Sequence, residues 1–253
     1  MILLSVFVFI CLFYYSQLEN KSSELIGIVK LNDHDSIIHH SAYSLSYNSD
    51  YHQANWVAYL LTRVEVDPIV LEGKRVKRSN NFIADPNVQE TDLSSDYYKS
   101  NYDRGHLAPA GDMAFSKIAM DESFYYTNMS PQVASFNRGI WKKLETQVRN
   151  WAIEYDSLYI VTGPIFSDSM KVIGPHRVAV PNSYYKVVLD NHKGKEKVIG
   201  FVMRNEGSKA ILKTFVMSVD EVEQLTGIDF FPLLDDELET NIEREVCFEC
   251  WKL

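Results

Sequence analysis

The sequence predicts an α+β fold. One helix-length stretch carries apolar residues at three- and four-residue steps, and the second half of the chain holds three short β-rich runs. A composition of 46% hydrophobic and 23% charged residues over 253 positions is that of a globular chain. This length suits one large or two small domains, and a single domain over residues 21–253 is the expectation. Only 11 Gly and 8 Pro exclude a collagenous or low-complexity design. With 3 Cys, the fold must rest on packing rather than on disulfides.

The elements follow in chain order. Met1 to Leu18 contains no charged residue, and Ile2 to Tyr15 is apolar or aromatic apart from Ser5. A run of about 14 residues fits the apolar region of a signal peptide better than a membrane span, which needs about 20. Residues 1–20 are therefore expected to direct export, as a signal peptide or as an uncleaved membrane anchor. No Lys or Arg precedes the run and no small-x-small cleavage site follows it, which keeps the anchor open.

Tyr43 to Tyr47 reads as an early strand, and Trp56 to Val66 as a second that Asp67-Pro68 breaks. Residues 73–101 read as a long loop, which in a compact domain is usually functional or mobile. Ser123 to Met129 is rich in β-formers and reads as a strand, with Ser130-Pro131 as its stop. From Asn137 onward Ile140, Trp141, Leu144, Val148, Trp151, Ala152 and Tyr155 give a helix with one apolar face. Leu158 to Thr162, Tyr184 to Leu189 and Val198 to Met203 read as strands bounded by Gly, Pro, Asn or Asp. Ser218 and Glu221 have capping-box spacing, so Val219 to Thr226 forms a short helix that Gly227 ends.

Charge narrows the function classes. Lys plus Arg total 25 against 34 Asp plus Glu, and the net −9 works against broad, sequence-blind attraction to nucleic acid. Any polyanion partner needs a local cation cluster, and Lys74, Arg75, Lys77 and Arg78 supply one, either as a phosphate-contacting run or as a solvated loop. The densest polar constellation runs from Asp103 to Asp112 and should form an exposed turn beside a strand. Within it, His106 follows Arg104; a neutral imidazole there can take a proton from water, or simply bond to backbone in a tight turn. Along the helix, Asn137 falls on the inward face and Glu145 at its edge. An amide oxygen and a carboxylate near a His suit a hard cation such as Mg²⁺; the alternative is that Asn137 caps the helix while Glu145 pairs with Lys142 or Arg149.

Three segments then resemble one known family. Asp103-Arg104-Gly105-His106 with Leu107-Ala108-Pro109, Phe124 through Gln132 with Asn128 inside it, and Phe136 through Trp141 with Leu144-Glu145 arrive in the order and spacing of the sugar-non-specific DNA/RNA endonucleases, which include the Serratia nuclease and mitochondrial endonuclease G. The resemblance runs from about Trp56 to Phe231. It implies a His-Me finger (ββα-metal) endonuclease fold, a central antiparallel sheet with flanking helices, in which a hairpin carries His106 and a helix carries Asn137. It also implies metal-dependent hydrolysis of DNA and RNA, with Mg²⁺ as cofactor, Mn²⁺ as its substitute and no small-molecule cofactor. His106 would be the general base and Asn137 the direct metal ligand. Glu145 would hold metal-bound water, and Arg104 with Arg78 would contact the scissile phosphate. Arg75 is the substitute for Arg78, because the loop there matches only through Arg78-x-x-x-Phe82-x-x-Asp85. Asn128 belongs with the catalytic group as a residue that shapes the site, with no chemical step of its own.

Cys247 and Cys250 sit near the carboxyl end, and without a second Cys pair they favour a local disulfide over zinc. The sequence leaves open a monomer or a homodimer. Two other function classes compete with the nuclease: a catalytically inactive nucleic-acid-binding module, and a structural envelope-anchored protein whose motifs are packing features.

Overall fold

The β-rich runs of the second half become the middle of a seven-stranded sheet. A computed structural model describes residues 27–30, 36–89, 91 and 93–253, so the apolar segment assigned to export lies outside the described residues. The sheet strands are β1 (Ser36–His39), β2 (Ser44–Asn48) and β3 (Gln53–Thr62) from the first part of the chain. A separate two-stranded ladder, β4 (Tyr102–His106) and β5 (Met129–Val133), comes next. Then follow β6 (Ser157–Ile165), a short ladder of β7 (Lys171–Ile173) with β8 (Val178–Val180), β9 (Ser183–Asp190), β10 (Lys197–Arg204) and β11 (Val216–Met217). The order across the sheet is β1-β2-β3-β6-β9-β10-β11, antiparallel at every pairing.

Both faces of this sheet are covered, which explains why its strands read as nearly continuous apolar runs. Side chains alternate along a strand. Val57, Tyr59 and Leu61 of β3 and Tyr184 and Val188 of β9 therefore enter one core, while Trp56, Ala58, Tyr185 and Val187 enter the other. The first core is covered by the helix Lys142–Tyr155 through Leu144, Val148, Trp151 and Ala152. The second is covered by the helix Val219–Thr226, which the Ser218–Glu221 capping box starts and Gly227, at φ +70°, ends. In chain order the helices are α1 (Arg63–Val66), α2 (Ser94–Tyr97), α3 (Lys117–Glu122), α4 (Lys142–Tyr155), α5 (Val219–Thr226), α6 (Asp236–Arg244) and α7 (Phe248–Trp251). Among the described residues, no helix is long and apolar enough to cross a membrane. Cys247 and Cys250 form a disulfide, and Trp251 beside them is buried, its indole donating to the Val198 carbonyl at 3.1 Å.

Several elements differ from expectation. Val66 ends not a strand but the helical turn α1, because the Thr62 backbone and hydroxyl both donate to Glu65, 3.0 and 2.9 Å, and cap that turn. Of the run Ser123 to Met129, Ser123 to Asn128 is a turn and a 3₁₀ segment; Phe124 and Tyr126 are apolar because they are buried, not because they are paired in a sheet. The strand there begins at Met129 and runs through Pro131, which is tolerated because a two-stranded ladder always leaves one edge needing no donor. The helix does not start at Asn137: a π-helical segment, Phe136–Trp141, precedes α4, and Gly139 at φ −107°, ψ −108° interrupts the helical path. The 100° projection of Asn137 onto the α4 face therefore fails.

Candidate active site

The β4–β5 ladder and the π-helical segment with α4 build the site. Arg104 and His106 lie two apart on β4 and share a face. Gly105 lies between them on the other face, where a Cβ would stand 2.2 Å from the Gln132 side chain of the partner strand, so this close crossing requires glycine. Asn128 clamps the chain just past His106. Its Oδ1 accepts from the Ala108 N–H at 2.9 Å, and its Nδ2 donates to the Ala108 and Ser123 carbonyls at 3.0 and 2.9 Å. The amide is buried and spent on backbone, which makes Asn128 a positioning residue.

His106 is not in an exposed turn. It is the last residue of β4, only 7% exposed, with Phe124 edge-on at 4.7 Å and Phe82 at 5.9 Å. Burial, with the nearby Arg78 cation second, pushes its pKa down to about 3, against a backbone hydrogen bond at Arg104 that acts the other way. Among the described residues Nε2 has no hydrogen-bond partner, so that backbone bond falls on Nδ1 and sets the tautomer with Nε2 as the acceptor. Each flanking ring also carries a guanidinium. Arg78 Cζ lies 4.9 Å from the Phe124 centroid, and Arg104 Cζ 4.2 Å from that of Phe82. Arg78 is further held by Asn80 (2.8 Å) and Arg104 by the Tyr126 hydroxyl (3.3 Å). Arg75, the substitute for Arg78, instead donates to the Gly111 carbonyl at 3.2 Å.

The loop that carries Arg78 is pinned rather than free. Asp85 is buried and binds His40 (2.9 Å) and the Thr127 hydroxyl (2.6 Å) through one carboxylate oxygen. This ties residues 78–85 to the segment just before β5.

Asn137 caps no helix. Its Nδ2 donates to Asp103 Oδ2 at 2.8 Å, and Arg138 donates to both oxygens of the same carboxylate at 2.8 and 2.6 Å. Burial would raise the Asp103 carboxyl, but these bonds outweigh it and hold it below the ordinary range. The amide nitrogen being committed, Asn137 Oδ1 is left as a hard oxygen donor without a protein partner among the described residues. Glu145 pairs with neither Lys142 nor Arg149, since Arg149 is taken by Asp112 at 2.7 Å. Burial and the Asp112 carboxylate raise the Glu145 carboxyl, opposed by Lys186, Arg149 and Arg78.

Sequence reasoning missed Lys186. It is fully buried on β9, its Nζ makes no hydrogen bond among the described residues, and it lies 5.1 Å from the Trp141 ring. Burial lowers its pKa while Glu145 and Asp112 counteract. The signal was present as the one charged residue inside the apolar run Tyr184 to Leu189. Phe82 and Phe124 as plates beneath the two arginines had no such signal.

The sequence pattern of the DNA/RNA non-specific endonucleases matches residues 24–237. The chain belongs to this family. The match starts before Trp56, as it should when β1 and β2 are part of the central sheet. Nuclease C1 of Cunninghamella echinulata var. echinulata is 35% identical over 210 residues, covering 77% of this chain and 82% of that one. Mitochondrial nuclease EXOG of Xenopus laevis is 32% identical over 210 residues, covering 76% of this chain but 57% of the relative, so the chain spans little more than half of that protein's length. The crystal structure of the EndoG/EndoGI complex superposes with a TM-score of 0.76 at 30% identity, covering 88% of this chain and 93% of that chain. The fold is accordingly the α+β His-Me finger fold of this family.

Proposed function

We propose that the protein is a divalent-metal-dependent endonuclease that hydrolyses phosphodiester bonds of DNA and RNA. The observation that carries this reading is the unpartnered Nε2 of an imidazole held neutral between two ring-supported guanidiniums. Nε2 takes a proton from the attacking water as that oxygen bonds to phosphorus and the bond to the 3′ oxygen breaks. Arg78 and Arg104 hold the phosphate and offset the charge that develops on it. The contacts are to phosphate, which suits a substrate range indifferent to base and sugar.

The donor set fits a hard cation: Asn137 offers an amide oxygen fixed by Asp103, and Glu145 is a carboxyl with no ion pair among the described residues, its pKa raised by burial and then by the Asp112 carboxylate. Asn137 would hold Mg²⁺ directly and Glu145 through water, with Mn²⁺ as a substitute. When bound, the ion supplies Lewis-acid stabilisation of the phosphate and leaving-group charge. Incubation of supercoiled plasmid and of RNA with the purified protein in Mg²⁺, then in EDTA, tests the reading. Breakdown of both polymers in Mg²⁺ and none in EDTA is expected; binding without breakdown would leave the inactive module, and neither outcome the structural protein.

The apolar run Ile2 to Tyr15 supports export as the destination, because it has no place in a water-facing surface. A chain beginning at Ser22 should then fold and cut as the full chain does. An insoluble product would make the segment part of the fold.

A further inference from the structure

On the sheet face opposite α4, the helices α5 and α6 bring acidic side chains together. Asp220 and Glu223 lie three apart and share a face of α5, and Glu243 projects from α6. One carboxylate oxygen from each of the three lies within 4.8 Å of the others. An acidic cluster alone is ordinary, but Glu243 is not. It is only 4% exposed, and its Oε1 is buried with no hydrogen-bond partner among the described residues. Glu223 is held in place by the Phe230 N–H, which donates to its Oε1 at 2.8 Å. Lys30, the neighbouring cation, is spent on Asp229 at 2.9 Å.

We propose that Asp220, Glu223 and Glu243 form a second cation site, for Ca²⁺, which ties α6 to α5. The ligands are all carboxylate oxygens, with no nitrogen or sulfur, which selects a hard ion. Ca²⁺ gathers several carboxylate oxygens in a flexible geometry, so three side chains whose oxygens lie within 4.8 Å of one another can converge on it. Mg²⁺ demands near-octahedral geometry, keeps several of its waters and is usually bound by one or two carboxylates rather than three. Without a cation, burial and the repulsion of Glu223, Glu239, Asp220 and Asp229 push the Glu243 carboxyl up to about 9. The ion would complete a site that the fold leaves with an unsatisfied buried oxygen.

The test is the thermal midpoint and calorimetric titration of the EDTA-treated full chain with CaCl₂, and separately with MgCl₂. A rise of roughly 5–10 °C at a hundredfold excess over the dissociation constant is expected for Ca²⁺. Glu243→Gln should abolish that rise while raising the metal-free midpoint, since it removes the repelled acid. The more exposed Asp220→Asn should weaken binding even if Glu243→Gln misfolds. Asn137→Ala should keep the rise, because its metal belongs to the catalytic centre. No rise in the wild-type chain would overturn the site, as would a rise that survives both acidic-cluster substitutions, one abolished in Asn137→Ala, or a response of Asn137→Ala to Mg²⁺ equal to its response to Ca²⁺. None of these results bears on the nuclease reading, which is read from cleavage.

Discussion

The imidazole of His106 combines two properties that usually conflict. It is buried, yet its acceptor nitrogen is unspent. Substituting His106→Ala removes the proposed base but leaves Asn137 and Glu145, so cleavage should fall by roughly 10²–10⁴ while metal binding survives. Asn137→Ala removes the proposed direct metal donor, so its residual activity should climb with added Mg²⁺, which that of His106→Ala should not. Initial rates against Mg²⁺ concentration, with circular dichroism to confirm folding, separate the two. The depressed pKa of His106 has its own consequence. The unfolded chain binds a proton near pH 6.5 and the folded one only near 3, so this residue's share of stability is complete above pH 6.5. It is lost as pH falls through that window, by at most about 1.4 kcal/mol per unit. Arg78→Ala removes a cation that lowers the value, so the His106 ring signal in an NMR pH titration should move its midpoint upward. An unchanged or lower midpoint would place Arg78 away from the base.

Among elements, the β4–β5 ladder sets the precision of the site, because Arg104 and His106 come from one strand and Gln132 packs across Gly105 between them. Gly105→Ala would drive a methyl into Gln132 at 2.2 Å. Overpacking of this kind costs about 1–3 kcal/mol, and here the strain falls next to the base. A lower unfolding midpoint together with loss of cleavage is expected. A drop in midpoint with full activity would mean that the ladder does not position His106. The π-helical segment matters for the opposite reason: it takes Asn137 out of the α4 register and ties it to Asp103 on β4.

For the whole molecule, the acidic balance means that affinity for polyanions has to be local. The net −9 repels a nucleic acid at long range, so binding should rest on Arg104 and on the cluster Lys74, Arg75, Lys77 and Arg78. Replacing all four cluster cations with Gln should flatten the salt dependence of duplex binding by about 0.9 in log–log slope for each phosphate that is no longer neutralised. Because Arg75 is engaged with Gly111, the flattening should be smaller than four free cations would give. An unchanged slope would return the run to a solvated loop.

Much of this protein was legible in the sequence. Strands β6, β9 and β10 and the helix α5 were readable because their cues, apolar runs between breakers and a capping box with a glycine stop, lie within a few residues of one another. His106, Asn137 and Glu145 stood out as candidates because three motifs bring their segments into a family's order. The rest was decided by packing between residues distant in the chain. That Phe124 and Phe82 hold Arg78 and Arg104, and that His106 is neutral because it is buried, follow from packing across more than 20 positions. The aromatic run Phe124 to Tyr126 looks like a strand until its rings are seen filling a core. Glu243 shows the limit most clearly: a charged residue in a polar stretch of sequence reads as surface, and only tertiary structure can remove it from water and leave its charge to be balanced by neighbours from other elements.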